Sequence, residues 1–291
     1  MTSPATPIRV VGLHLYPVKS LAGVAVDQAA VSRQGLLGDR RWAVVDPTGE
    51  NVTAREVHLM LGLRAEPTEQ GGIRLLDRHG ATATVAPPRE ASPIAVLFSG
   101  QDAARPAGRV ADDWLSERLG QPVRLVWQDD QTHRPIQPEM GGRSGDTSSL
   151  ADAAPVHVTT EASLRRLNEW LAESDVDPLG HDRFRPNVVL DGDEPFAEDG
   201  WRRVRIGEVD FRYTMACDRC VMATIDRQAL ATAKEPIRTL ARHRRWEGST
   251  WFGIRLTPVL PLPPGAVLAV GDKVVAHRVA ATSGIALQPR G

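Results

Sequence analysis

Short apolar runs, not helical turns, organise the first hundred residues. IRVVGLHLYPV (8–18), VAVDQAAVSR (24–33), RWAVVDPTGENVTA (41–54), GIRLLD (72–77) and ATATVAP (81–87) are rich in Val and Ile and punctuated by Gly, Pro or Asp, the pattern of β-strands. Asp46-Pro47-Thr48-Gly49 offers a pre-set φ followed by a residue free to take positive φ, so VVDPTGENVT (44–53) reads as a hairpin. Helical spacing occurs twice. VADDWLSERLG sets Val110, Trp114, Leu115 and Leu119 on one broad face with Gly120 as a stop, and TEASLRRLNEWLAES spaces Leu164, Leu167 and Leu171 by helical turns. Strand patterns resume in FRPNVVLDG, WRRVRIGEVDFRYT, CVMATID and GAVLAVGDKVVAH. The predicted fold class is mostly β with a few helices, an α+β chain.

Two stretches break the periodicity. RPIQPEMGGRSGDTSSLADAAP (134–155) is crowded with Pro, Gly and Ser and reads as a linker or a functional loop. KEPIRTLARHRRWEGSTW (234–251) holds five Lys or Arg and two Trp, a solvated face or a docking patch for an acidic redox partner. Length allows one or two domains. With Lys+Arg 35 against Asp+Glu 36, no global field points to nucleic acid or to an anionic membrane surface. No apolar run is long enough for a spanning helix or a signal peptide, so a cytoplasmic protein is expected.

Cys217 and Cys220 are the only cysteines, in MACDRCVMATID. A reducing compartment and a very short loop disfavour a disulfide between them. A thioredoxin-like pair needs its first thiol at a helix N-terminus, whereas a β-branched run follows here. Zinc needs further ligands, and His14, His58, His79, His133, His157, His181, His243 and His277 form no close pair. A buried structural pair and a soft metal held by one thiolate both stay open.

MACDRC, preceded by FRPNVVLDGDEPFAEDGW and RVRIGEVDFRYT, resembles the MOSC family. LYPVKSLAGVAVDQA and GLLGDRRWAVVDPTGENVTARE resemble the β-barrel domain that precedes MOSC in the mitochondrial amidoxime-reducing component and its bacterial relatives. The resemblance spans about residues 8–275 and implies an N-terminal β-barrel-like domain with a helical insertion (1–125) and a MOSC β-barrel domain (126–291). It further implies a molybdenum cofactor, molybdenum on a pterin dithiolene, with Cys220 as the metal ligand; Cys217 is left without an assured role, and packing is the default reading for it. Lys19, Ser20, Arg40, Thr147, Ser148, Arg185, Asn187 and Arg219 would bind the cofactor, and Asp146 would stand near the metal as a catalytic carboxylate. Arg40 and Arg41 are adjacent, so on a strand only one would reach the pocket.

Asp218 departs from the small hydroxyl residue common at this place, and its charge would need compensation by Arg219 or an outward orientation. The implied activity is reduction of N-hydroxylated small molecules such as amidoximes, hydroxylamines and base analogues. With no flavin or dinucleotide motif and no cluster cysteines, electrons would come from a separate donor, a ferredoxin-, flavodoxin- or cytochrome b5-like reductase system. No membrane anchor and no cluster-bearing extension are expected. A domain-level association with pyridoxal phosphate comes with the resemblance as well. The other reading is a cofactor carrier or sulfur-transfer module.

Overall fold

The computed structural model describes residues 7–129 and 134–278. Seven strands close a barrel in the order Val156–Thr160, Val188–Leu190, Ile8–Leu15, Lys273–Arg278, Trp201–Ile206, Val209–Asp218 and Ser249–Pro258, the last pairing back to the first. Closure removes the unpaired edges that an open sheet would leave. Alternate residues point inward, so Leu13, Val158, Val188, Leu190, Ile206, Phe211, Ile254 and Leu256 fill the barrel. Burial of such a side chain stabilises the fold by about 1.5–3 kcal/mol.

The strand pairing crosses the boundary expected at 125/126. Ile8–Leu15 lies between Val188–Leu190 and Lys273–Arg278, and Gln28–Ser32 pairs with Val267–Ala269. The chain therefore starts in the barrel, leaves it to build the N-terminal unit, and returns. That unit is a half-barrel: Trp42–Val45, Arg124–Trp127, Gln101–Pro106 and Ile94–Phe98 form one sheet, and Arg64–Pro67, Ile73–Leu76 and Thr82–Val85 form a second. Helix α1 (Arg109–Leu119) packs on their shared core. Gly120 ends α1 at φ 69°, with its N–H donated to Ser116 O. The turn at 46–49 forms as expected, with Asp46 N–H bonded to Glu50 O and Gly49 at φ 92°.

Local propensity was overruled at several places. The buried face of α1 is Ala111, Leu115 and Leu119, a strict i, i+4 row, whereas Val110 is 73% exposed. CVMATID is largely not a strand: Val221–Thr224 is a 3-10 turn, closed by Ala223 N–H to Cys220 O and by the Thr224 hydroxyl to Val221 O, and only Ile225–Asp226 is extended. The strands Ile94–Phe98, Gln101–Pro106, Arg124–Trp127 and Val156–Thr160 had no distinct signal among the runs above. Segment 134–155 is a packed loop, not a linker. Arg134 donates to Ser149 O and Ala151 O, and Ile136 and Leu150 are buried.

Outside the barrel, α2 (Glu161–Ala172) and α3 (Ile237–His243) share a small core with Phe184 and Phe252. Thr160 caps α2 by accepting from Ser163 N. The basic stretch 234–251 is divided. Arg244 is buried, ion-paired with Asp199 and stacked over Phe196 and Trp246, while Lys234, Arg238, Arg242 and Arg245 face solvent. Among the described residues no helix is long and apolar enough to cross a membrane.

Candidate functional site: a cationic cleft around a free thiol

Both cysteines open onto one cleft where the N-terminal unit meets the barrel. Lys19, Ser20, Arg40, Arg185, Asn187, Arg219 and Cys220 all line it. Three of these, Ser20 (φ 68°), Arg40 (φ 49°) and Arg185 (φ 57°), hold positive φ, a costly backbone state for non-glycine residues that concentrates at functional sites. The positive φ of Arg40 puts it in the turn before the strand Trp42–Val45, so the strand argument about it does not hold, although its outcome does. Arg40 reaches the cleft, and Arg41 turns away to Gln128 O and the Trp127 ring.

Tyr16 organises the two deep guanidinia. Arg40 and Arg185 lie over its ring at 4.6 and 4.3 Å, and its hydroxyl donates to Pro186 O. Burial pushes its phenol up to about 12, against the pull of Arg185 and Arg40, so it stays neutral. Arg40 is paired with buried Asp39 and donates to Asn187 Oδ1 at 3.1 Å. Arg185 donates to Leu21 O at 2.7 Å, and burial lowers it to about 10, leaving it charged at neutral pH.

The two thiols differ sharply. Cys220 is exposed, at the start of the 3-10 turn. Cys217 is buried at the end of Val209–Asp218, where its Sγ accepts from Arg219 Nη1 at 2.8 Å and from Arg255 Nε at 3.3 Å. Burial pushes the Cys217 thiol up, but Arg219, Arg255 and His157 outweigh it and hold the group well below the ordinary thiol range. Cys217 is buried, as a packing residue would be, but its guanidinium neighbours favour the thiolate over the thiol. Asp218 is half exposed at the cleft and approaches Arg255 at 3.7 Å, so Arg255 compensates its charge.

Asp146, Thr147 and Ser148 do not line this cleft. Asp146 is captured by Arg212 and by the N–H of Arg143, and it lines a different cavity. Thr147 accepts from Gln34 Nε2, and Ser148 is buried with its hydroxyl unpaired. Two carboxylates do line the cleft: Asp218, and Asp152, which lies six residues beyond Asp146 on the same loop and is ion-paired with Lys19. The Lys19 ammonium holds the Asp152 carboxyl well below the usual carboxylate range, while burial lowers Lys19 itself. Sequence reasoning also missed Arg255 and His157. Arg255 is one arginine among many in a strand pattern, and only its register opposite Met215 brings it to Cys217.

Among the described residues the buried Arg219 Nε has no hydrogen-bond partner, while the His157 ring lies against Cys217. Burial lowers the His157 pKa, favouring the neutral ring. Among the described residues no three His, Cys, Asp or Glu side chains converge as a metal cage; His133 lies outside those residues. A zinc site of protein ligands is thereby absent from the described part, and the site is a cationic cleft with one accessible sulfur.

A seven-strand barrel with this cleft at its junction to a half-barrel defines the class. The family models agree: the MOSC N-terminal beta barrel domain matches residues 7–122 and the MOSC domain residues 145–275. The chain belongs to the MOSC family. Among its relatives, mitochondrial amidoxime-reducing component 1 of Xenopus laevis is 35% identical, over 90% of this chain and 80% of its own length. The Homo sapiens protein of the same name is 31% identical, over 81% of this chain and 72% of its length. Molybdenum cofactor sulfurase of Solanum lycopersicum is 29% identical over 84% of this chain, which spans only 32% of that protein.

Proposed function

We propose that this protein is a molybdenum-cofactor-dependent reductase of N-hydroxylated small molecules that draws its electrons from a separate donor protein. The observation that carries this reading is the free, exposed thiol of Cys220 in a cleft where Lys19, Arg40, Arg185, Arg219 and Arg255 converge. The relatives named as amidoxime-reducing components support it.

The donor set suits such a cofactor. A phosphate-bearing pterin needs fixed cations and amides, supplied by Lys19, Arg40, Arg185 and Asn187. The Arg219 Nε, buried and without a partner among the described residues, is a group that a polar ligand would satisfy. A soft metal needs an anionic sulfur ligand, for which Cys220 is the accessible candidate. The free space is about 90 Å³, so a pterin enters only as side chains such as the Lys19–Asp152 pair move apart. When bound, the cofactor supplies two-electron chemistry that removes oxygen from nitrogen, and the net reaction consumes two protons and releases water.

The remaining work falls to this chain's own side chains. Arg219 and Arg255 hold positive charge beside Cys217 and keep the neighbourhood favourable for anionic sulfur. Asp152, released from Lys19, accepts hydrogen bonds from a substrate N–OH or from water, the role expected of Asp146. Tyr16 stays protonated and fixes both deep guanidinia.

Metal analysis of purified protein combined with benzamidoxime reduction by an artificial donor tests the proposal. Wild-type protein is expected to retain molybdenum and turn over, and Cys220→Ser to lose both. Metal without turnover on any N-hydroxy substrate would favour a cofactor carrier, the reading supported by the likeness to the sulfurase.

A further inference from the structure

A second cavity, about 640 Å³, contains neither cysteine. It lies on the outer face of the barrel, toward the start of Val209–Asp218, whose other end carries Cys217. Its volume is that of a small-molecule site. Its walls are guanidinia: Arg33, Arg143, Arg202, Arg203, Arg212 and Arg278. In a chain of net charge −1, such a concentration is a local feature.

The sheet register makes it more telling. Arg203 is paired directly with Arg212 on one side and with His277 on the other. Like charges at such positions destabilise a sheet. One ladder step away the same two strands pair Arg205 with Asp210, and these form a bidentate ion pair at 2.8 and 2.6 Å. Charge is thus paired across the ladder at Arg205, whereas Arg203 faces another arginine there.

Arg212 is neutralised by Asp146, and Arg278 by Glu194. Arg33, Arg143 and Arg203 make no close ion pair among the described residues, although Asp210 acts electrostatically on Arg203, and all three are exposed. The role of Asp146 is then structural. It accepts from Arg143 N at 2.6 Å and ties the 143–146 turn over Arg212, which also donates to Gly141 O. The opposite wall, Pro258 to Leu260, is apolar and half exposed at Leu260.

We propose that this cavity binds a small organic diphosphate, its phosphates bridging Arg203 and Arg143 and its apolar part lying on Pro258–Leu260. Guanidinium forks match phosphate oxygens in pairs, and an ordinary carboxylate partner would waste that geometry. A cavity with exposed guanidinia beside an apolar wall suits a compact anion with an apolar part.

Inorganic pyrophosphate titrated calorimetrically into full-length protein is the test, with inorganic phosphate as comparison. Pyrophosphate is expected to bind at least about tenfold tighter than phosphate, since two groups engage at once. Arg203→Ala and Arg143→Ala, both surface changes, should each weaken it about tenfold or more. Arg205→Ala, on the same strand and face but paired to Asp210, should leave it within about twofold. The proposal is overturned if pyrophosphate binds no tighter than phosphate, or if Arg203→Ala is silent. It is equally overturned if the loss follows Lys19→Ala, which would place the anion in the Cys220 cleft.

Discussion

Cys217 and Cys220 stand three residues apart in opposite surroundings, one buried between Arg219 and Arg255 and the other open to solvent. Spacing alone shows a pair and cannot show this division, because burial belongs to the strand end and the turn that follow. In Cys220→Ser apoprotein, thiolate absorbance near 240 nm is expected to persist at neutral pH, since the guanidinia hold Cys217 below the ordinary thiol range. Its disappearance in Cys217→Ser protein would complete the assignment, and a Cys220→Ser protein with no thiolate signal at pH 7 would refute it. Asp146 and Asp152 teach the same lesson. Both sit in one unpatterned loop, and which carboxylate meets the cleft is decided by partners 66 residues and 133 residues distant in sequence, Arg212 and Lys19.

At the scale of elements, periodicity located both long helices and missed one face by a single position. Leu115 is fully buried and Val110 is not, so Leu115→Ala should cost about 2–5 kcal/mol in urea unfolding, and Val110→Ala should stay within about 0.5 kcal/mol. Helix α2 is anchored by a buried acid that no pattern announces. Glu198 accepts from Ser163 Oγ at 2.7 Å and Thr160 Oγ at 3.3 Å, beneath the α2 cap. Burial, reinforced by Asp199, pushes its carboxyl from 4.5 up to about 7. The fold thus favours the protonated form: this contribution is complete below about pH 4.5 and is lost as pH rises through about 7. Glu198→Gln should gain stability on the order of 2 kcal/mol over wild type at pH 8, and little at pH 4.5. Equal differences at both pH values would remove Glu198 as the source.

For the whole molecule, the first strand decides what can fold alone. Ile8–Leu15 fills the gap between Val188–Leu190 and Lys273–Arg278. A fragment of residues 126–291 would leave both strands with open edges and apolar neighbours. It is expected to lack cooperative unfolding by circular dichroism, and residues 7–32 supplied as a peptide should restore it. A fragment that unfolds cooperatively by itself would show that the barrel does not need its first strand. The cleft shares this dependence, since Lys19, Ser20 and Arg40 come from the first excursion of the chain and Arg185, Asn187, Arg219 and Cys220 from the return.

Alternating apolar runs, the helical rows, the 46–49 turn and the cysteine motif were all legible along the chain, because each depends on neighbours within a few residues. So was most of the cationic set, through its resemblance to a family. The roles of Cys217, Asp152 and Arg255, the barrel's claim on the first strand, and the arginine cavity came only with tertiary structure. Each of these rests on the register between strands distant in sequence, and register is set by burial of a shared core that no local pattern encodes.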